Sequence, residues 1–210
     1  MNYTEKTYYY DYDSPAIKDI IKDVKHLTSQ QDIIEQLYLK VRDGWRYLPF
    51  NIGLTKAHFK ASNIAKKPDG HCIDKAILYI ACLRAFNIPA RLHLAKVSNH
   101  IATERLEKVI GTNELTPHGL VDVFYNGKWV KCSPAFNKEL CTIYNVDVLD
   151  FNGTEDAVLQ EYNKDDHKFM TYIEDYGHFE DVPLDFIRDT FKSNYPSLYE
   201  RFKDQDHIVI

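Results

Sequence analysis

Cys72 stands directly behind a Pro-Asp-Gly turn in the stretch KPDGHCIDKAILYIACLRAFNIPAR, residues 67–91. It opens a long apolar pattern with helical spacing. The first N–H groups of a helix have no internal partner, and the helix dipole is positive at that end. A thiol seated there is drawn toward thiolate, the nucleophilic form. The same free N–H groups can hold a developing oxyanion. Gly70 just upstream permits a sharp turn and close approach of a substrate to the backbone. His71, between Gly70 and Cys72, is grouped with them as a substrate-binding candidate, its ring expected on the surface. The plainer reading of a free cysteine is a small buried hydrophobe. Cys82, mid-helix in YIACL, fits that reading, and Cys132 and Cys141 default to it.

A thiol nucleophile needs a base. Among nine histidines, His118 has the most informative position, at the entrance of HGLVDVFYNGKWVKCSP. Asn126-Gly127 between two alternating runs is a strong two-residue hairpin signal. That loop pairs Tyr125 with Lys128, Phe124 with Trp129, Asp122 with Lys131, Leu120 with Ser133 and His118 with Ala135. Side chains two apart share a face, so His118, Leu120, Asp122, Lys131 and Ser133 lie together and Cys132 lies opposite. Ser133 is the diagonal neighbour of His118, at roughly 7–8 Å. Asp122 is about 13 Å along the strand and is expected to pair with Lys131. Pro134 ends or bulges the strand.

The stretches GHCIDKAILYIACLRAFNIPARL, a histidine opening a strand, and GKWVKCSP resemble the transglutaminase-like superfamily of papain-type thiol enzymes. The resemblance runs from about residue 33 to about 150. It implies an α+β fold with helices packed on an antiparallel β-sheet, and acyl transfer on an amide. It places Cys72 as the nucleophile, His118 as the general base and Asp122 as the acidic residue of the histidine strand. The family's third catalytic member, an Asp before Pro, is replaced here by Ser133. Ser133 or, by a curl of the chain after Pro134, Asn137 is the implied substitute. Cys72 N–H is one implied oxyanion donor, and Trp45 or Tyr47 a second from upstream.

Three other readings compete. A catalytically inactive binding module of the same fold is suggested by the missing Asp. A metal site could be built on Cys72, His118 and one of His71, His93 or His100, although no finger-type ligand spacing is present. His100 is the rival base. No cofactor or metal is therefore expected. Arg91 is expected to pair with a carboxylate in the core, or to anchor substrate.

These groups must be positioned by a scaffold. Ser14-Pro15 starts a helix carrying Ile17, Ile20, Ile21, Val24 and Leu27. Ser29 with Asp32 starts a second, with Ile33, Leu37, Tyr38, Val41 and Trp45 on one face. The third opens after Gly70 and stops near Asn87. Residues 88–97 read as a strand. Residues 98–117 form a long connection with a short helix near TERLEKVI; its length points to a functional loop lining the cleft. EDAVLQEY, DVPLDFIRDTF and PSLYERF read as short helices. The expected division is a core over 1–150 and a packed C-terminal extension over 151–210. YYYDY reads as an edge strand or an aromatic cover.

The chain has 210 residues, 44% of them hydrophobic, which suffices for a real core. The net charge is -5 with no basic stripe, so nucleic acid is disfavoured as a partner. The N-terminus lacks a secretory pattern and no apolar run reaches membrane-span length. A cytoplasmic protein with four free cysteines is expected. The expected partner is a peptide or other amide substrate; the oligomeric state is not encoded in these patterns.

Overall fold

The computed structural model describes residues 3–49, 51–100, 107–108, 110–202 and 208–209. Helix α1 (Pro15–Ile21) starts where Ser14 accepts from the Ile17 N–H, with Pro15 in the first turn. Helix α2 (Gln30–Gly44) is capped by Ser29, which accepts from the Asp32 N–H, and it buries Ile33, Ile34, Leu37, Tyr38 and Val41. The chain then extends through β1 (Arg46–Tyr47) and β2 (Asn51–Ile52), turns through α3 (Ala61–Ile64), and returns as β3 (Asp69–Gly70), which pairs in parallel with β1.

Helix α4 (Cys72–Arg84) is buried at all thirteen residues. It is enclosed all round rather than amphipathic, as the near-continuous apolar run from Ile73 to Leu83 requires. Its two internal cations are matched by backbone carbonyls. Lys75 Nζ donates to the carbonyls of Arg42, Trp45 and Ala135 at 2.7, 2.8 and 2.6 Å. The Arg84 guanidinium reaches the carbonyls of Glu5, Ala90 and Glu180 and lies over the Tyr10 ring. YYYDY is thus an aromatic cover and not a strand: Tyr9 and Tyr10 are buried in a turn-rich segment.

The main sheet is antiparallel, formed by β4 (Ala90–Asn99), β5 (Glu114–Tyr125), β6 (Lys128–Cys132) and β7 (Met170–Phe179) in the order β6-β5-β4-β7. The expected hairpin is present. Asn126 and Gly127 both take positive φ, 49° and 79°, and the register from Tyr125–Lys128 to Asp122–Lys131 matches the sequence reading. Pairing ends at Val121–Cys132, before Ser133. Leu92, Leu94, Val121, Val123 and Cys132 share the face that packs on α4. On the other face Asp122 does not pair with Lys131 as expected. Arg91 Nε takes its carboxylate at 2.9 Å, His93 shares it, and Lys131 turns to Asp175 at 3.5 Å. Arg91 therefore does meet a carboxylate.

Beyond the sheet come α5 (Lys138–Ile143), α6 (Leu184–Asn194) and α7 (Pro196–Phe202). The last two match the expected helices. EDAVLQEY does not: it is extended, with Ala157 bridged to Cys132. Nor is 151–210 only an appendage, since β7 is an edge strand of the main sheet along the length of β4. The long connection shortens because β5 begins at Glu114; residues 107, 108 and 110 are helical, and the rest of TERLEKVI lies outside the described residues. Two-stranded pairing of β2 with β8 (Ile208–Val209) completes the described strands. Among the described residues no helix is long and apolar enough to cross a membrane.

Candidate active site

Cys72 occupies the first turn of α4, as its sequence position implies, and is buried. Strand β5 crosses beside it. A Cβ on Gly119 would lie 2.7 Å from Ile73 Cα, so only glycine lets the strand approach the helix this closely. Gly119 follows His118, and this contact brings the histidine strand to the thiol. The backbone N–H groups of Gly119, Ile73 and Cys72 itself draw the thiol's pKa down, but burial outweighs them and pushes it up to about 11. His118 is buried as well. Burial first, and its proximity to His71 second, push its imidazole down to about 4. Neither ring nitrogen of His118 has a hydrogen-bond partner among the described residues. At neutral pH the thiol and the imidazole are both neutral, and no hydrogen bond joins them among the described residues.

The candidates for a third member do not reach that ring. Asn137 is spent elsewhere: Oδ1 accepts from the Tyr47 N–H at 3.0 Å and Nδ2 donates to Glu139 at 2.5 Å. It anchors β1 rather than the imidazole. Ser133 is buried just past the end of β6, its backbone held by Ala157 and Tyr38. Asp122 is engaged on the far side of Leu120, and His100 bonds Thr171 Oγ1 at 2.8 Å.

A cavity of about 50 Å³ opens onto Cys72. Tyr47, Leu54, Phe59, Ile110 and Pro117 line it, and α6 closes it with Ile187, Phe191 and Tyr195. Residues 110 and 115–117 thus line the cleft as the long connection was expected to do. Tyr47 reaches the cavity; Trp45 does not. Trp45 is buried with an indole N–H that lacks a partner among the described residues. Gly70 lies outside the lining, in β3, where its carbonyl accepts from the Leu48 N–H at 3.1 Å.

His71 departs most from expectation. It is buried, not on the surface, because it is the N-cap of α4. Its Nδ1 accepts from the Asp74 N–H at 3.1 Å, and the His71 N–H donates back to Asp74 Oδ2 at 3.3 Å, completing a capping box. Asp74 Oδ1 in turn meets His58 Nε2 at 2.9 Å, and Lys67 Nζ lies 3.1 Å from His58 Nδ1. Burial alone would raise the Asp74 carboxyl. The pull of His58 and His71, the His58 hydrogen bond and Lys67 instead hold it well below the usual carboxylate range. Sequence reasoning missed His58, Lys67 and Asp74. The His-x-x-Asp spacing at a helix start was the available signal.

His58, His71 and Asp74 are also the residues whose geometry could hold a metal, their ligand atoms lying within 4.8 Å of one another. This differs from the alternative built on Cys72 and His118. The lone pairs concerned are already engaged in the capping box and the His58 bond, and the Lys67 ammonium abuts the His58 ring. The cluster is closed on itself as a hydrogen-bond chain.

Comparison with known proteins bears on this architecture. No curated protein matches the chain. A crystal structure from Cytophaga hutchinsonii, named a "putative cysteine protease", is similar at 19% identity and a TM-score of 0.43, over 63% of this chain and 40% of that one. This chain thus spans less than half of that protein's length. Residues 18–134, more than half of the chain and including α4, β4, β5 and β6, match the model of the transglutaminase-like superfamily. With its helices laid on an antiparallel sheet and a cysteine opening the enclosed helix, the chain belongs to the transglutaminase-like superfamily.

Proposed function

We propose that the protein is a thiol-dependent acyl-transfer enzyme acting on amide bonds, as a cysteine peptidase, amidase or transamidase. One observation carries the reading: the Cys72 sulfur rests on backbone N–H groups at a helix start and faces a cavity, and one of those N–H groups, that of Gly119, belongs to the residue directly after His118. In the reaction His118 takes the thiol proton as sulfur attacks the carbonyl carbon. The carbon–nitrogen bond then breaks, and the proton passes from His118 to the departing amine. Water or a second amine then attacks the thioester carbon, the carbon–sulfur bond breaks, and a proton of the incoming nucleophile passes through His118 to sulfur. The Gly119 and Cys72 N–H groups, which touch the resting thiol, are the natural donors to developing negative charge. The apolar lining favours a compact aliphatic group on the acyl side. Asn137 is engaged at Tyr47 and Ser133 makes no bond to the ring, so the reading rests on Cys72 and His118 without an assigned third member. A cytoplasmic setting belongs to this reading and accords with four free cysteines.

The unengaged imidazole and the raised thiol also favour a second reading, a catalytically inactive module of the same fold. Iodoacetamide labelling followed by mass spectrometry separates the two. The enzyme reading expects Cys72 to label well ahead of the fully buried Cys82 near neutral pH. It also expects Cys72→Ala to abolish turnover of aliphatic aminoacyl anilides. Equal labelling of the two cysteines, with turnover untouched by Cys72→Ala, would sink it.

A further inference from the structure

The capping box of α4 fixes more than a helix end. A backbone N–H can only donate, so His71 Nδ1, 3.1 Å from the Asp74 nitrogen, must present its lone pair there. This holds although Asp74 Oδ2 is 3.3 Å from the same atom. Burial lowers the His71 pKa, so the ring is neutral at pH 7. A neutral ring with an accepting Nδ1 carries its proton on Nε2. That nitrogen has no partner among the described residues, and it is not sealed from solvent as both nitrogens of His118 are. His71 lines the cavity beside Cys72, with Phe59 stacked near its ring at 6.2 Å.

The orientation is held from behind. The Lys67 ammonium donates to His58 Nδ1, which leaves His58 Nε2 to donate to Asp74 Oδ1. Asp74 Oδ2 then accepts from the His71 backbone. Every bond in this chain has one allowed direction, and it ends in an N–H aimed into a largely apolar cavity. We propose that His71 is a substrate-binding residue, donating Nε2–H to an oxygen acceptor of the acyl substrate, with Asp74, His58 and Lys67 as positioning residues.

This inference rests on the thiol-enzyme reading, and the test separates the two. His71→Ser keeps a good N-cap and removes the cavity donor; His71→Asn is the second variant should the first fold poorly. The readout is the rate of Cys72 alkylation by iodoacetamide, which carries a carbonyl acceptor, relative to 1-iodopropane, which carries none. The wild-type preference for iodoacetamide is expected to fall about tenfold in either variant, the worth of one hydrogen bond in such a site. A merely structural role slows both reagents together; an unchanged ratio overturns the inference and leaves the thiol enzyme standing. Wild-type Cys72 labelling no faster than Cys82 overturns both. Imidazole ¹⁵N spectra supply an independent check: His71 is expected as the Nε2–H tautomer at pH 7, and an Nδ1–H tautomer or an imidazolium would refute the proposal.

Discussion

His118 is held near pKa 4 against an ordinary 6.5, because burial disfavours its charged form and no partner among the described residues compensates it. Protonation therefore favours the unfolded chain. The resulting stability is complete above 6.5 and disappears as pH falls through about 4. The difference corresponds to roughly 3 kcal/mol. Replacing the ring in His118→Leu is expected to flatten the stability profile across that window, measured as urea midpoints at successive pH values; a slope equal to wild type would assign the acid sensitivity to other groups. At the same scale the thiol gives a complementary curve. With Cys72 pushed up to about 11, its alkylation rate should keep rising with pH well past neutrality. A plateau already reached by pH 7 would mean that the thiolate is stabilised by an imidazolium, a pairing this structure does not contain.

At the scale of elements, the site depends on how closely β5 is pressed on α4. The 2.7 Å separation that a Gly119 Cβ would have from Ile73 Cα is to backbone, which cannot swing aside. Gly119→Ala is expected to cost about 1–3 kcal/mol and to push β5 and the Gly119 N–H off the thiol, lowering Cys72 labelling in the same variant. Lys75 ties the end of α2 and the segment after β6 to α4 through three carbonyls. Lys75→Met orphans all three, with an expected loss of about 3 kcal/mol or more; a calorimetric midpoint within a degree of wild type would refute that account. These elements were legible where the signal was local. Ser14-Pro15, Ser29 with Asp32, and Asn126-Gly127 each announce their own geometry. The partner of Asp122 was not legible, because the hairpin register offers Lys131 while β4, placed only by tertiary packing, brings Arg91 from the other side. His71 was not legible as a buried residue, because a ring pointing to a different helix side from Cys72 reads as surface, whereas this ring caps the helix and is enclosed.

For the molecule as a whole, the C-terminal third was least legible. Nothing between residues 151 and 183 shows a period that demands a strand, and β7 is recruited by the exposed edge of β4, a pairing more than seventy residues apart in sequence. That recruitment delivers α6 over the cavity. Tyr195 fastens it: its hydroxyl accepts from the Thr116 N–H at 2.9 Å and donates to the Glu114 carbonyl at 2.7 Å. Arg188 Nε adds a bond to the Leu54 carbonyl at 2.7 Å. Such a cover can lift without global unfolding, since it is held by few bonds compared with the enclosed helix beneath it. Tyr195→Phe leaves the buried Thr116 N–H without its acceptor and should cost about 1–2 kcal/mol, concentrated in the cover. Amide exchange is then expected to accelerate over 114–117 and 184–195 while α4 stays protected, and Cys72 is expected to alkylate faster than in wild type. Faster exchange spread evenly over α4 and the sheet would mean that the cover and the core open as one unit, and that substrate reaches Cys72 by some route other than lifting α6.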